Sequence, residues 1–167
     1  MYNMFTTTEK IPGFHYLASG RRITASIITS IVLAMTWVTS LSANGQPQPQ
    51  LPTIKLQIND VILEAEIAAT AQQRYMGLSF RPSLEENTGM LFVYPTERPL
   101  SFTMRNTLIP LSIAFISKDL VINEIHHMDV GPGQIFNSLE QAQFALEVDQ
   151  GWFAANDIEA GDKIIKR

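Results

Sequence analysis

Three consecutive polar residues stand out within an apolar part of the chain. Arg105, Asn106 and Thr107 precede Pro110 by a few residues. An arginine beside an asparagine and a threonine offers several hydrogen-bond donors, the composition of a cradle for an anion or a carboxylate. Proline keeps the residue before it extended and asparagine tolerates left-handed backbone, so a structured loop is expected. The triplet predicts a ligand-binding loop, or a loop whose polar groups satisfy its own backbone while Arg105 pairs with a carboxylate.

A second candidate is the carboxylate of Glu147, which lies in the apolar run of residues 145–148. Strand alternation places Glu147 on the opposite face from its two neighbours. A carboxylate that faces the interior must be paired with a cation or have a raised pKa. Its candidate partners are Arg74, Arg81 and Arg105. Glu147 is therefore a functional candidate, and a structural ion pair or a solvent-facing strand residue is the alternative.

These residues support more than one function. The leading hypothesis is a module that binds a small polar or anionic ligand, or a peptide, over the loop of Arg105, Asn106 and Thr107. A hydrolase-like enzyme is the alternative, with Glu147 as general base and Arg105 or Arg81 stabilising developing negative charge. A third hypothesis is an envelope interaction module that offers an edge strand to a partner. Catalytic residues stay unassigned, and whether the chain is an enzyme stays open.

Metal and cofactor chemistry is poorly supported. On a strand, Glu124 and His126 share one face while His127 and Asp129 share the other, so each face offers two ligands where a catalytic metal site needs about three. The chain has no cysteine, which removes disulfides, thiol nucleophiles and zinc–thiolate sites. It also lacks a Gly-x-Ser-x-Gly nucleophile motif and a glycine-rich phosphate loop. We therefore predict no metal and no cofactor.

The elements that must position these side chains are short strands. Residues 54–58 alternate apolar with polar, Asn59-Asp60 supplies a turn, and residues 61–68 resume the extended pattern, which predicts a hairpin. Thr70 is a plausible N-cap for a helix that Gly77 ends. Further strands are predicted at residues 90–94, 100–104, 111–117, 120–128, 142–148 and 163–166, and a second short helix at 151–156. The pattern predicts a mainly β (α+β) fold, a small, mostly antiparallel, barrel-like curled sheet of about seven or eight short strands with two short helices.

The first 43 residues have the pattern of a signal peptide or an N-terminal membrane anchor. Arg21 and Arg22 precede an uncharged stretch, residues 23–41, whose most apolar part is only 12 residues long, and small residues follow. Cleavage is expected after Ser42 or Ala43. If the segment is not cleaved, its 19 residues could anchor the protein in the inner membrane. Either way we expect an exported protein, periplasmic or secreted, that meets the membrane only through this segment.

A Pro/Gln-rich linker, residues 44–52, separates the leader from a single domain at residues 53–167. Proline fixes φ and lacks a donor, so the linker is expected to be a solvated spacer. The chain carries 12 basic and 16 acidic residues, and the first 43 residues have a net charge of +2, which leaves −6 for the remaining 124. An acidic domain does not bind nucleic acid through bulk charge, so no nucleic-acid partner is expected.

Several short motifs together resemble one family. They read RYMGLSFR at residues 74–81, GMLF at 89–92, FTMRNT at 102–107, IPL at 109–111, IAFI at 113–116 and ALEV at 145–148. The chain is similar over about residues 52–167 to the domain of unknown function 192 family, also called uncharacterised protein family 0127. The resemblance implies a small mostly-β domain, often exported in bacteria, and no particular reaction or ligand. Ser112 stands where the family usually has an aspartate, and Thr103 where it usually has an aromatic residue.

Overall fold

The computed structural model describes residues 45–131 and 133–167, so the predicted signal or anchor segment lies outside the described residues. In these two ranges the chain forms nine strands and two short helices. The helices have 6 and 4 residues, so neither of them could span a membrane. The elements are β1 (Thr53–Ile58), β2 (Val61–Ala68), α1 (Ala71–Met76), β3 (Thr88–Arg98), β4 (Ser101–Thr103), β5 (Leu111–Ile116), β6 (Ile122–Met128), β7 (Ile135–Asn137), β8 (Ala142–Asp149), α2 (Trp152–Ala155) and β9 (Ile164–Lys166).

Seven of these strands form one curled sheet in the order β6-β5-β8-β3-β2-β1-β9, and β4 pairs with β7 in a separate two-stranded sheet. Strands β2 and β3 are parallel, whereas the other neighbouring pairs are antiparallel. The sheet is therefore mixed and mostly antiparallel. The predicted mainly β fold, with a barrel-like curled sheet and two short helices, is confirmed as a half-barrel.

The outer strands of the half-barrel are joined at one place. The amide of Ile164 donates to the carbonyl of Leu120 at 2.8 Å, and the amide of Ile122 donates to the carbonyl of Asp162 at 2.9 Å. Val121 and Lys163 form an isolated antiparallel bridge between these two bonds. Polar backbone groups at the two sheet edges thus satisfy each other, and the sheet encloses an interior face.

Local turn and cap chemistry follows the sequence. The β1–β2 hairpin turns at Asn59, whose φ is 53°, and Ile58 pairs with Val61. Helix α1 begins at a capping box in which the Thr70 hydroxyl accepts from the Gln73 amide and the Gln73 side chain accepts from the Thr70 amide. It ends before Gly77, as predicted.

Two strands differ from the prediction by more than one residue at an end, and one strand was not predicted. Strand β3 continues past Pro95 to Arg98, because the proline falls where the ladder with β8 is interrupted, between Val93 and Arg98, and no amide is needed there. Strand β6 begins at Ile122 instead of residue 120, because Leu120 has a φ of 63° and belongs to the preceding turn. Strand β7 was not predicted, because its three residues carry little periodicity.

Two hydrophobic cores lie on opposite faces of the curled sheet. The outer core contains Met90, Phe92, Phe102 and Phe115, and it lies between the sheet and the segments that hold α1, β4 and β7. The inner core fills part of the half-barrel and has these buried members among others: Leu63, Ala114, Ile116, Leu146, Val148 and Phe153. Successive residues alternate between the two cores from Met90 to Phe92 on β3 and from Phe144 to Leu146 on β8.

Strands β3 and β8 approach very closely where Gly89 pairs with Val148. A Cβ atom at position 89 would lie 2.4 Å from the carbonyl oxygen of Glu147 and 2.9 Å from Cγ1 of Val148. The backbone φ of Gly89 is not positive, so glycine is required here for space and not for conformation. The motif that contains Gly89 therefore sets the position of Glu147.

The described part of the linker, residues 45–52, is mostly exposed, but Gln48 and Leu51 attach it to the domain. The Gln48 side chain donates to the carbonyl of Gly77 at 2.8 Å and to that of Gln73 at 3.2 Å, at the end of α1. Leu51 packs against the outer core. The carbonyl of Gln73 already accepts from the amide of Gly77 at 2.9 Å, so the Gln48 amide is a second donor to it, and the same amide group satisfies the carbonyl of Gly77 just past the helix.

Candidate functional site

The candidate site is a cleft of about 190 Å³ on the outer face of the sheet, which we name the Glu147 cleft. Its walls come from α1 and the segment that follows it, from β3, and from β4 with the loop after it. The lining residues are Arg74, Tyr75, Met76, Gly77, Leu78, Ser79, Phe80, Phe92, Tyr94, Ser101, Phe102, Thr103, Arg105, Asn106, Thr107 and Glu147. Five of the six predicted site residues meet here, although they come from three separate segments of the chain.

Glu147 forms part of the cleft lining from strand β8, where it pairs with Met90 on β3 and Ile113 on β5. The residue is only 6% exposed. No described residue forms an ion pair with its carboxyl group or donates a side-chain hydrogen bond to it. Burial raises the pKa of Glu147 to about 8, so the group is mostly protonated at neutral pH. Glu147 lies on the face of β8 opposite to Leu146 and Val148, as alternation predicts, and the structural ion pair with an arginine, considered as the alternative, does not form among the described residues.

Arg105 lies at the exposed edge of the cleft and contacts Tyr75 instead of a carboxylate. Its guanidinium carbon is 5.4 Å from the centroid of the Tyr75 ring, and Nη2 donates to the Tyr75 hydroxyl. Because a guanidinium has five N–H donors, most of them remain available for another acceptor. The interpretation that Arg105 neutralises Glu147 is therefore wrong for this structure.

Arg74 also lines the cleft, and its side chain contacts strand β3. Its guanidinium carbon lies 4.6 Å from the centroid of the Tyr94 ring, and Nη1 donates to the carbonyl of Val93 at 2.9 Å and to that of Ala69. Burial raises the pKa of Tyr94, while Arg74 and Arg98 act in the opposite direction. The Tyr94 hydroxyl thus stays protonated and can donate a hydrogen bond within the cleft.

The loop of Asn106 and Thr107 is structured as predicted. Asn106 has a φ of 63°, and its carbonyl accepts from the amide of Phe80 at 2.8 Å. The amide of Thr107 donates to the carbonyl of Met104 at 3.1 Å, and Thr107 is buried. The backbone of the loop is satisfied within the fold, so the side chains of this loop are free to face the cleft.

Arg81 is the predicted site residue that lies elsewhere. Its Nη1 is 2.5 Å from Oε1 of Glu66, and its Nη2 donates to Oε2 of the same carboxylate at 2.9 Å. The amide of Leu51 also donates to Glu66 Oε2, at 2.7 Å. This two-pronged pair is largely buried and joins the loop after α1, strand β2 and the linker. Arg81 is therefore structural, and it does not line the Glu147 cleft.

Sequence reasoning missed three residues of this region. They are Tyr94, Tyr75 and Glu66, none of which the sequence analysis singles out. The sequence contained one usable signal, because Glu66 interrupts the apolar pattern of β2 much as Glu147 interrupts β8. An acid at such a position requires a cation or a raised pKa, and Arg81 satisfies the first alternative.

The histidine segment forms two separate pairs. Nε2 of His126 is 2.7 Å from Oε2 of Glu124. Nδ1 of His127 is 3.1 Å from the Ser112 hydroxyl, which also accepts from the amide of Gly151 at 3.0 Å. Within the described ranges no three His, Cys, Asp or Glu side chains converge on a point that could hold a metal ion.

A protein-family model described as "Uncharacterized ACR, COG1430" (DUF192) matches residues 54–165, which is more than half of the chain. The chain belongs to the DUF192 family. The resemblance of the short motifs is thereby confirmed for nearly all of the predicted range. The DUF192 family is a domain of unknown function, so membership assigns no reaction or ligand to the cleft.

Two solved structures resemble this DUF192 domain. One is a protein from Sinorhizobium meliloti described as a candidate transcription regulator, with 26% identity, a TM-score of 0.68 and coverage of 71% of this chain and 97% of that one. The other is a protein of unknown function from Novosphingobium aromaticivorans, with 26% identity, a TM-score of 0.67 and coverage of 72% and 89%. No curated protein sequence matches the chain.

The two departures from the usual DUF192 pattern lie in different places. Ser112 is fully buried on β5, and its hydroxyl accepts from Gly151 and contacts His127. Its hydroxyl stabilises the turn between β8 and α2. Thr103 pairs with Ile135 and lines the Glu147 cleft, so a smaller and more polar side chain than usual faces the space there.

Proposed function

We propose that this domain is a binding module for a small organic anion, held in the Glu147 cleft. The observation that carries the proposal is the carboxyl group of Glu147, which is buried on the lining of an open cleft and meets no cation or side-chain donor among the described residues. A fold that only needed stability would place an apolar side chain there, because an unpaired acid opposes folding once it ionises. Unpaired acids with shifted pKa values are typical of ligand sites.

Charge favours an anion over a cation. At neutral pH Glu147 is mostly neutral, whereas Arg74 and Arg105 are charged, so the cleft is positive within a domain whose net charge is negative. The protonated carboxyl of Glu147 and the hydroxyl of Tyr94 can donate hydrogen bonds to the ligand, and the free N–H groups of the arginines can bind its carboxylate or phosphate.

Shape and polarity limit the rest of the ligand. The rings of Phe80, Phe92 and Phe102 line part of the cleft, so one side of the ligand meets apolar surface. A volume of about 190 Å³ suits a small molecule or a single side chain of a peptide. An organic anion with a compact apolar part fits both features.

Benzoate is a suitable probe, with inorganic phosphate as the anion that lacks an apolar part. We expect benzoate to bind the wild-type protein in isothermal titration calorimetry, and Arg105→Ala to weaken it about 10- to 100-fold, since a charge-assisted hydrogen bond contributes about 1.5 to 3 kcal/mol. Affinity should also fall as the pH rises through about 8, because Glu147 then ionises and repels the anion.

Arg167→Ala is the matched control, because it removes the same charge from an exposed residue that neither lines the cleft nor acts on Tyr94. The affinity of this variant for benzoate should stay within about two-fold of the wild-type value. Equal losses in Arg167→Ala and Arg105→Ala would indicate bulk electrostatics, and failure of benzoate and phosphate to bind the wild type would reject the small-anion proposal.

The hydrolase alternative has less support from the geometry. A general base must be ionised, and Glu147 is mostly protonated at neutral pH. Arg81, one of the two residues considered for stabilising negative charge, is occupied by Glu66 outside the cleft. A protonated Glu147 is better suited to donate a hydrogen bond to a bound ligand.

A nucleic-acid partner is not proposed. The Sinorhizobium meliloti protein is described as a candidate transcription regulator. In this chain residues 44–167 carry a net charge of −6, and binding to nucleic acid requires clustered lysine and arginine.

Export is proposed from the leader pattern. We expect fractionation of the producing cells to place the protein outside the cytoplasm. N-terminal sequencing should find a new end after Ser42 or Ala43, or an intact chain in the membrane fraction if residues 23–41 act as an anchor. Full-length protein in the cytosol would contradict export.

A further inference from the structure

The interior of the half-barrel has one closed end. Helix α2 follows β8 there, and Phe153 of that helix is buried against the inner core. The indole nitrogen of Trp152 donates to the side chain of Asn87 at 3.0 Å, which fixes the helix against the loop before β3. This end of the half-barrel is therefore filled by side chains.

The opposite end is hollow. A cavity of about 270 Å³, which we name the barrel cavity, lies where β8 begins, between Phe144 of that strand and its neighbours Ile116 and Val93. Nine of the ten lining residues are apolar. Those nearest the opening are only half-buried, including Ile67, Leu91, Val93 and Phe144.

The tenth lining residue is Lys166 on β9. It pairs with Leu56 across the ladder, so the two side chains leave the sheet on the same face. Lys166 is exposed, which places its ammonium group in water while its methylene stem borders the cavity. One cationic group at the rim of an apolar space complements a molecule with an apolar chain and one anionic end.

Water is a poor occupant of this cavity. A volume of 270 Å³ corresponds to about nine water molecules, and an apolar lining gives them almost no hydrogen-bond partners. The space is also much narrower than a helix or a second copy of the domain would require. A single extended aliphatic chain fits its size and its polarity.

We propose that the barrel cavity binds a free medium-chain aliphatic carboxylate, with the chain inside the half-barrel and the carboxylate at Lys166. This site is independent of the Glu147 cleft, because strand alternation separates them. Phe92 of β3 faces the cleft, whereas its neighbours Leu91 and Val93 face the barrel cavity. Mouths of β-barrels are common positions for such ligands.

The test uses the full chain and a series of hexanoate, octanoate and decanoate, each below its micelle concentration, in calorimetric titrations. Affinity should rise about four-fold per methylene until the cavity is full, which is the fold-change expected for the burial of one CH₂ group. Val93→Phe should weaken octanoate at least ten-fold, because the larger ring fills the cavity. Ile67→Phe provides a second blocking variant if Val93→Phe does not unfold cooperatively.

Lys166→Gln tests the head group. It should weaken octanoate several-fold and leave octan-1-ol unchanged, whereas Ile165→Gln, on the opposite face of β9, should change neither. Absence of chain-length dependence, or full octanoate affinity in both blocking variants, would overturn the proposal. If the protein sediments with phosphatidylglycerol vesicles but does not bind octanoate, the proposal would also be overturned, and a membrane lipid would be the ligand instead.

Discussion

Glu147→Gln is expected to stabilise the protein strongly at alkaline pH. The pKa of Glu147 in the folded protein is about 8, compared with an ordinary value of 4.5, so between these values the folded state binds more protons than the unfolded state. The contribution of the protonated Glu147 to the free energy of unfolding is thus fully present below about pH 4.5 and is lost as the pH rises to about 8. A pKa shift of this size corresponds to about 3 to 5 kcal/mol of unfolding free energy. Glutamine stays neutral, so the Glu147→Gln variant does not lose this stability at high pH.

Denaturant unfolding at pH 4.5, 6, 7 and 9 measures this difference directly. The two proteins should be similar at pH 4.5 and should diverge steadily up to about pH 8. Burial also raises the pKa of Asp149, but Asp149 is present in both proteins and cancels in the comparison. Glu86→Gln, an exposed acid, is the matched control and should stay within about 0.5 kcal/mol of the wild type at every pH. A pH-independent difference for Glu147→Gln would show that the carboxyl is ionised in the folded protein.

Arg81→Ala is expected to destabilise the protein by about 3 to 5 kcal/mol, because it leaves the buried carboxylate of Glu66 without its cation. The side chains of Arg81 and Glu66 are 17% and 9% exposed, so water can solvate the remaining charge only weakly. The double variant Glu66→Gln/Arg81→Ala should lose less than the sum of the two single variants, since each removes the partner of the other.

The exposed pair of Lys118 and Glu97 provides the control, with a separation of 3.7 Å and a lysine that is 62% exposed. Lys118→Ala should cost no more than about 1 kcal/mol. Chemical denaturation at pH 7 measures the unfolding free energy of the wild type and of each of these variants. A loss for Arg81→Ala as small as that for Lys118→Ala would assign Arg81 to a solvated surface pair instead of a buried one.

The central strands β3 and β8 connect the two proposed sites. Glu147 and Phe92 line the Glu147 cleft on the outer face, and Phe144 and Leu91 line the barrel cavity on the inner face. Each strand thus supplies alternate residues to the two sites. Because the sites lie on opposite faces, variants in one of them can be used as folding controls for the other.

The sequence by itself determined the features that depend on local chemistry. Alternation of apolar and polar residues predicted β1 and β2, and Asn59 and Thr70 predicted a turn and a helix cap. Alternation in β8 predicted that Glu147 lies on the opposite face of the strand from Leu146 and Val148. Each of these depends on residues within a few positions of one another, and the backbone geometry that they favour does not require distant contacts.

Only the tertiary structure decided which distant groups meet. Arg81 binds Glu66 and not Glu147, and the linker contacts the domain through Gln48 and Leu51. Helix α2 fills one end of the half-barrel, and the other end is hollow. The raised pKa of Glu147 has the same origin, since it reflects burial under segments of the chain far from residue 147. Desolvation and side-chain pairing depend on the positions of atoms in three dimensions, and several arginines in the sequence were equally plausible partners for each acid.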